Sequence, residues 1–134
     1  GLDRAVTAGA RVVNISLGGD TPPGFTLRQA VARATAAGVI VVVSAGNEGN
    51  TTADGNDPNN PEPFAQGLRD AGGDLVIIVG SVDENRAISD FSNRAGNYAG
   101  SYLTALGDSV CCVYQNGVLQ TETTPSGTFV FLLN

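Results

Sequence analysis

The sequence predicts an α/β fold: a partial parallel sheet followed by an antiparallel C-terminal hairpin. Three observations predict it. The runs Val39-Ile40-Val41-Val42-Val43 and Leu75-Val76-Ile77-Ile78-Val79 are apolar at every position, as strands buried on both faces of a parallel sheet are. Between Val12 and Val43 a strand, a helix and a strand follow one another, which makes a right-handed βαβ unit. Past Val79 the pattern changes, and Asn116-Gly117 sits between β-rich segments, the dipeptide that favours a two-residue hairpin turn.

Taken in order, Leu2, Ala5 and Val6 recur at helical spacing and Gly9 breaks the pattern. Val12-Val13-Asn14-Ile15-Ser16-Leu17 is a strand with Val13, Ile15 and Leu17 on one face, ended by Gly18-Gly19. Thr21-Pro22-Pro23-Gly24 is loop chemistry. Thr26 with Gln29 fits a capping box opening a helix through Ala37, with Leu27, Ala30, Val31 and Ala34 as its apolar stripe. Residues 50–63, rich in Asn, Asp, Gly and Pro, read as a long exposed loop. Tyr102 to Leu106 is a short strand, and Val110 to Gln115 is expected to pair with Val118 to Thr121.

Composition excludes several classes. With 42% apolar and 15% charged residues the chain can bury a core, so it is not a disordered tail, and 134 residues suit one domain. No apolar run reaches the roughly eighteen residues of a membrane span. Thirteen acids against seven arginines give a net charge of −6, which repels phosphate backbones, so nucleic acid is not expected as a partner. Adjacent Cys111 and Cys112 make neither a natural disulfide nor a zinc site and read as strand residues facing opposite sides. The chain opens on Gly1 directly into a helical pattern, without a start methionine or targeting stretch, and is expected to be an internal piece of a longer protein. It contains no histidine, so no imidazole base or ligand can be built within it.

Open parallel sheets place their sites beyond the carboxyl ends of the strands. Two such ends carry unusual loops, Ser16-Leu17-Gly18-Gly19 and Ser44-Ala45-Gly46-Asn47-Glu48-Gly49, built of small residues that let another backbone approach. Asn47 in the second can aim its amide from the sheet rim at a developing oxyanion, although asparagine in a glycine-rich turn is also ordinary turn chemistry. No G-x-G-x-x-G or phosphate loop follows either strand, which weighs against a nucleotide-binding domain.

In combination the motifs are more specific. Asn14-Ile15-Ser16-Leu17-Gly18-Gly19, a helix, Val41-Val42-Val43-Ser44-Ala45-Gly46-Asn47-Glu48-Gly49, then Val76-Ile77-Ile78-Val79-Gly80-Ser81-Val82-Asp83 and Ile88-Ser89-Asp90-Phe91-Ser92-Asn93 resemble the subtilisin-like serine peptidases, in that order. The stretch Phe91-Ser92-Asn93-Arg94-Ala95-Gly96 is similar to members carried by autotransporters. The resemblance implies a partial three-layer fold, a peptidase domain over residues 1–128 and a divergent tail at 129–134. It implies that Asn47 is the oxyanion-hole asparagine and that Ser16, Leu17 and Gly18 pair with the substrate backbone as an added strand. It makes Ala45 and Gly46 the other wall of the pocket for the residue before the cleaved bond, and their small side chains suit a large apolar residue there.

The catalytic aspartate and histidine implied by the resemblance lie upstream of anything present. Phe129 stands after Gly127-Thr128 where the nucleophilic serine is expected, and Ser126 reads as a turn residue beside Pro125. The expectation is a fragment of a peptidase that hydrolyses peptide bonds by acyl transfer, inactive alone; the alternative is a non-catalytic peptide-binding module that keeps the cleft. A polypeptide is the implied substrate. No cofactor is expected. Family members often bind calcium, and Asp54, Asn56, Asp57, Asn59 and Glu62 offer oxygens, but their spacing fits no EF-hand because Pro58 stands where a ligand is wanted. Arg86 and Arg94 read as surface partners of Asp83, Glu84 and Asp90. Unpaired edges and apolar faces around Val39–Val43 and Leu75–Val79 suggest a homo-oligomer. Family habit favours a secreted or cell-surface location.

Overall fold

Four strands run parallel and lie side by side in the order in which the chain makes them: Val12–Ile15 (β1), Ile40–Ser44 (β2), Val76–Val82 (β3) and Tyr102–Leu106 (β4). The computed structural model describes residues 1–108, 110–111, 114–125, 127–130 and 132–133. Three helices connect and cover the strands: Leu2–Thr7 (α1), Phe25–Ala36 (α2) and Pro63–Gly72 (α3).

Strand order decides where the helices go. A sheet that grows in one direction through right-handed crossovers carries every crossover helix on the same face. Val31 of α2 and Ala65 and Leu68 of α3 accordingly pack on Val41, Val43, Val76 and Ile78, and this cluster is essentially inaccessible to water. Each large aliphatic side chain so buried contributes about 1.5–3 kcal/mol. The opposite face alternates with it in register: Val12 beside Ile40, Val42 beside Ile77, Val79 beside Leu103. Val12 and Leu103 are more than half exposed there, and Ile40, Val42, Ile77 and Val79 only part-buried.

This corrects two expectations. The all-apolar runs are not buried on both faces among the described residues, which supply two layers and not three. Nor are Val39–Val43 and Leu75–Val79 unpaired edges, since β2 and β3 are the central strands and β1 and β4 the outer ones. Both faces of β2 and β3 are apolar, as the sequence predicts.

The capping box does not form. Gly24 is the N-cap of α2, and Thr26 lies inside the first turn, where its hydroxyl is past the position from which a cap bonds. Helix α3 falls in a stretch with no sequence expectation. Pro63 opens it, Leu68 follows Phe64 at helical spacing and Gly73 closes it with φ 64°. Gly67 weakens that pattern, yet packing requires it: a Cβ there would stand 2.5 Å from Cδ of Pro23.

The C-terminal part forms short antiparallel ladders apart from the main sheet. Tyr114–Gln115 (β6) pairs with Val118–Leu119 (β7) around Asn116 and Gly117, both at positive φ. The longer ladder expected from Val110 to Thr121 is not made. Val110–Cys111 (β5) pairs instead with Leu132–Leu133 (β10), and Thr121–Thr124 (β8) with Gly127–Val130 (β9). Cys112 lies outside the described residues.

Candidate active site

Because the four strands are parallel, their carboxyl ends share one edge of the sheet, and the segments leaving β1 and β2 meet there. They border an open cleft of about 610 Å³ lined by Ser16, Leu17 and Gly18 on one side and Ala45, Gly46 and Asn47 on the other. All six residues singled out in the sequence come together. The ends of β3 and β4, at Val79–Ser81 and Ala105–Leu106, complete the cleft.

The two walls are joined at their bases. The Ser44 hydroxyl donates to the Leu17 carbonyl at 2.9 Å, and the Asn14 amide donates to Ser16 Oγ at 2.8 Å. The Ala45 carbonyl accepts the Glu62 amide at 2.8 Å, and the Gly19 carbonyl accepts the Phe64 amide at 3.2 Å, so the start of α3 ties to both walls. Gly46 sits at φ 111°, a conformation that side-chain-bearing residues rarely adopt, and lies buried. Asn47 next to it is exposed. Its backbone amide donates to Glu48 Oε2 at 3.0 Å, and its side-chain amide has no hydrogen-bond partner among the described residues.

Asn93 is the residue the sequence reading passed over. It is fully buried. Its Oδ1 accepts the Glu48 amide at 2.9 Å, its Nδ2 donates to the Asn60 carbonyl at 2.9 Å, and its backbone amide donates to the Gly46 carbonyl at 3.2 Å. The Tyr102 hydroxyl donates to the Asn93 carbonyl at 2.6 Å, which brings β4 into the same network. Ser92 Oγ accepts the Ser81 amide at 3.0 Å. The Phe91-Ser92-Asn93 segment is therefore the brace behind the Asn47 loop. A buried asparagine needs partners for four hydrogen-bonding positions, and only the folded loop supplies them, so sequence spacing gave no hint of the role.

Glu62 was noticed only as a loop oxygen, and its surroundings are unlike a loop's. It is 4% exposed, and its Oε1 has no hydrogen-bond partner among the described residues. It lines the cleft between the walls, where a Cβ on Gly18 would collide with that same oxygen and one on Gly46 would come within about 3.0 Å of its Cβ. Burial pushes its pKa up to about 7 against some relief from the Gly19 amide, and the nearby Glu48 and Asp20 push the same way. Asp20 and Glu48 also line the cleft, and no arginine does. The cleft lining thus includes three carboxylates, Asp20, Glu48 and Glu62.

The remaining expectations separate. The Asp57 carboxylate accepts the Asn60 amide at 2.7 Å and the Asn59 backbone at 3.0 Å, and these bonds hold its pKa below the usual range. Arg94 does not pair with Asp90: its guanidinium donates to the carbonyls of Ser92, at 2.5 Å, and Ser89. Phe129 lies in β9 opposite Glu122, and Ser126 is outside the described residues.

The cleft thus has one wall running on from β1 and one glycine-rich wall running on from β2. The profile of the subtilase family, peptidase S8, matches residues 1–130. The chain is 36% identical to subtilisin DY of Bacillus licheniformis over 129 residues, covering 96% of this chain and 40% of that protein. It is 38% identical to thermitase of Thermoactinomyces vulgaris over 92 residues, covering 69% of this chain and 28% of that protein. Among solved structures, the prenylagaramide maturation protease PagA superposes with a TM-score of 0.63 at 22% identity, over 98% of this chain and 40% of that one. The chain belongs to the subtilase family of serine proteases and spans about two fifths of the length of such relatives. No described helix is long and apolar enough to cross a membrane.

Proposed function

We propose that this chain is the substrate-cleft and oxyanion-hole portion of a serine endopeptidase. The observation that carries the reading is the meeting of residues 16–18 and 45–47 across one cleft. In the parent, a serine attacks the scissile carbonyl, a histidine moves the proton, and Asn47 donates its side-chain amide to the oxygen as it gains charge. Removing such a donor costs about a hundred- to a thousand-fold in kcat, a figure that belongs to subtilisin itself. Ser16, Leu17 and Gly18 offer backbone groups to the substrate as a neighbouring strand, and Ala45 and Gly46 leave room for the side chain before the cleaved bond. We assign residues 1–128 to the peptidase domain and 129–134 to a divergent tail.

With no histidine in the sequence and Phe129 following Gly127-Thr128, the isolated chain has no proton shuttle and no matched nucleophile. It is expected to bind extended peptides and not to cleave them. Incubating the purified chain with a fluorogenic peptide tests this: turnover that disappears in Asn47→Ala would overturn it. Because both walls of the cleft lie within this chain, a non-catalytic peptide-binding module is the second reading. A parent reading frame lacking aspartate, histidine and serine motifs would favour that module over the peptidase.

The open sheet face, with Val12 and Leu103 exposed around Val42 and Val79, supports self-association of the isolated chain. Light scattering that reports a monomer at every concentration would exclude it. The Phe91–Gly96 stretch supports placing the parent among autotransporter-borne proteins at the cell surface or outside the cell, which fractionation of the parent tests.

A further inference from the structure

We propose that Glu62 makes this cleft select a substrate with a cationic side chain, lysine or arginine, at the residue before the cleaved bond. The inference rests on the reading of the cleft as a substrate site and names what that site accepts. Glu62 is almost wholly buried, yet Oε1 is without a partner among the described residues. An orphaned buried acceptor costs the fold free energy, so a native site that keeps one calls for a ligand that completes it. Glu62 lines the cleft with its carboxyl against Gly18, where a Cβ would collide with it, and with its Cβ and Cγ near Gly46, where a Cβ would meet Asn93 Oδ1 first. Gly18 therefore leaves space that the acid occupies.

The surroundings fix the sign of the ligand. Asp20 and Glu48 line the same cleft, and no positively charged side chain does. Glu48 directs Oε2 to the Asn47 amide, and the Gly19 amide bonds the Glu62 carboxyl, so backbone donors satisfy part of this charge and none of them reaches Oε1. An ammonium or guanidinium entering the cleft would approach the Glu62 carboxyl with two further carboxylates, Asp20 and Glu48, lining its path. Charge-assisted bonds of that kind are the strong ones. A phenylalanine in the same place would strand the carboxyl under an apolar ring, which costs affinity.

The test measures binding by this chain, at a pH well above the value of about 7 at which Glu62 releases its proton, of two fluorescent peptide amides, acetyl-Ala-Ala-Pro-Arg and acetyl-Ala-Ala-Pro-Phe, by anisotropy. The expected result is at least about tenfold tighter binding of the arginine peptide. In Glu62→Gln the ratio should fall to about one, chiefly through loss of arginine-peptide affinity. Asp20→Asn, at an exposed position away from the core, should lower the ratio about two- to threefold and decides the matter if Glu62→Gln fails to fold. Tighter binding of the phenylalanine peptide, or a ratio that neither variant changes, overturns the proposal while leaving the substrate cleft in place. Saturable binding of neither peptide removes the cleft reading and this inference with it.

Discussion

The two walls of the cleft are built to opposite specifications. The wall at residues 45–49 is locked: Ala45 and Gly46 are buried, and Asn93 takes hydrogen bonds from or gives them to Gly46, Glu48 and Asn60 in one network. The wall at residues 16–20 is open. Leu17 is 65% exposed, and single bonds from Ser44 and Phe64 hold it from below. The difference follows from what each wall is proposed to do. A donor that stabilises developing charge must be in place before the charge appears, or the gain is spent on moving it. A wall that pairs with a peptide must keep backbone groups unsatisfied until the peptide supplies partners. Rigidity on one side and spare valence on the other are thus parts of a single arrangement.

Removing the brace should have the largest effect. Asn93→Ala keeps the backbone bond to Gly46 but strands the Glu48 amide and the Asn60 carbonyl, at about 1–3 kcal/mol for each buried group left unpaired. A loss near 3 kcal/mol in urea unfolding is expected, with peptide binding weakened more than tenfold even at temperatures where the variant is folded. A variant as stable as the parent chain, binding peptide normally, would show that the walls do not differ in the way described.

Next in size is the response of the cleft floor to pH. The Glu62 carboxyl in the folded chain holds its proton up to about pH 7, against an ordinary value of 4.5. Between those values the folded state keeps a proton that the unfolded chain has already released. The contribution is whole below about pH 4.5 and is lost as pH rises through about 7, so stability falls across that window, by at most about 3 kcal/mol. The groups facing Glu62 are Asp20 and Glu48, which deepen the fall, and the Gly19 amide, which lessens it. Glu62→Gln should flatten the profile and be the more stable protein above pH 7. A wild-type midpoint that does not change between pH 4.5 and 8 would remove the buried carboxyl from the account.

Much of this was legible in the sequence. Strands of five apolar residues are a local signal, and β2 and β3 formed where those runs lie. The six cleft residues were legible because two glycine-rich loops followed two parallel strands, and parallel strands bring their ends together whatever lies between. Asn93 and Glu62 were not legible, since each owes its role to burial by segments distant in sequence. Asn93 meets Glu48 across 45 positions. Glu62 becomes a cleft residue only because Pro63 starts a helix there and turns it inward. The α3 helix itself was hidden by Gly67, whose cost in helix propensity was outweighed by close contact with Pro23.

The smallest effect should come from the open wall. Ser44→Ala removes one hydroxyl, and with it the 2.9 Å bond to the Leu17 carbonyl. Leu17 stands largely in water, so its carbonyl can take a solvent partner in exchange, and the loss of stability should be no more than about 1 kcal/mol. Binding is the sharper measurement. If the wall from Ser16 to Gly18 pairs with the peptide, loosening its base adds an ordering cost on association, and affinity should fall about two- to fivefold while the unfolding midpoint hardly moves. The contrast with Asn93→Ala then becomes quantitative: one variant loses fold and binding together, the other binding almost alone. Equal losses of stability in the two variants would mean that the walls share one degree of order, and the division of labour between them would fall.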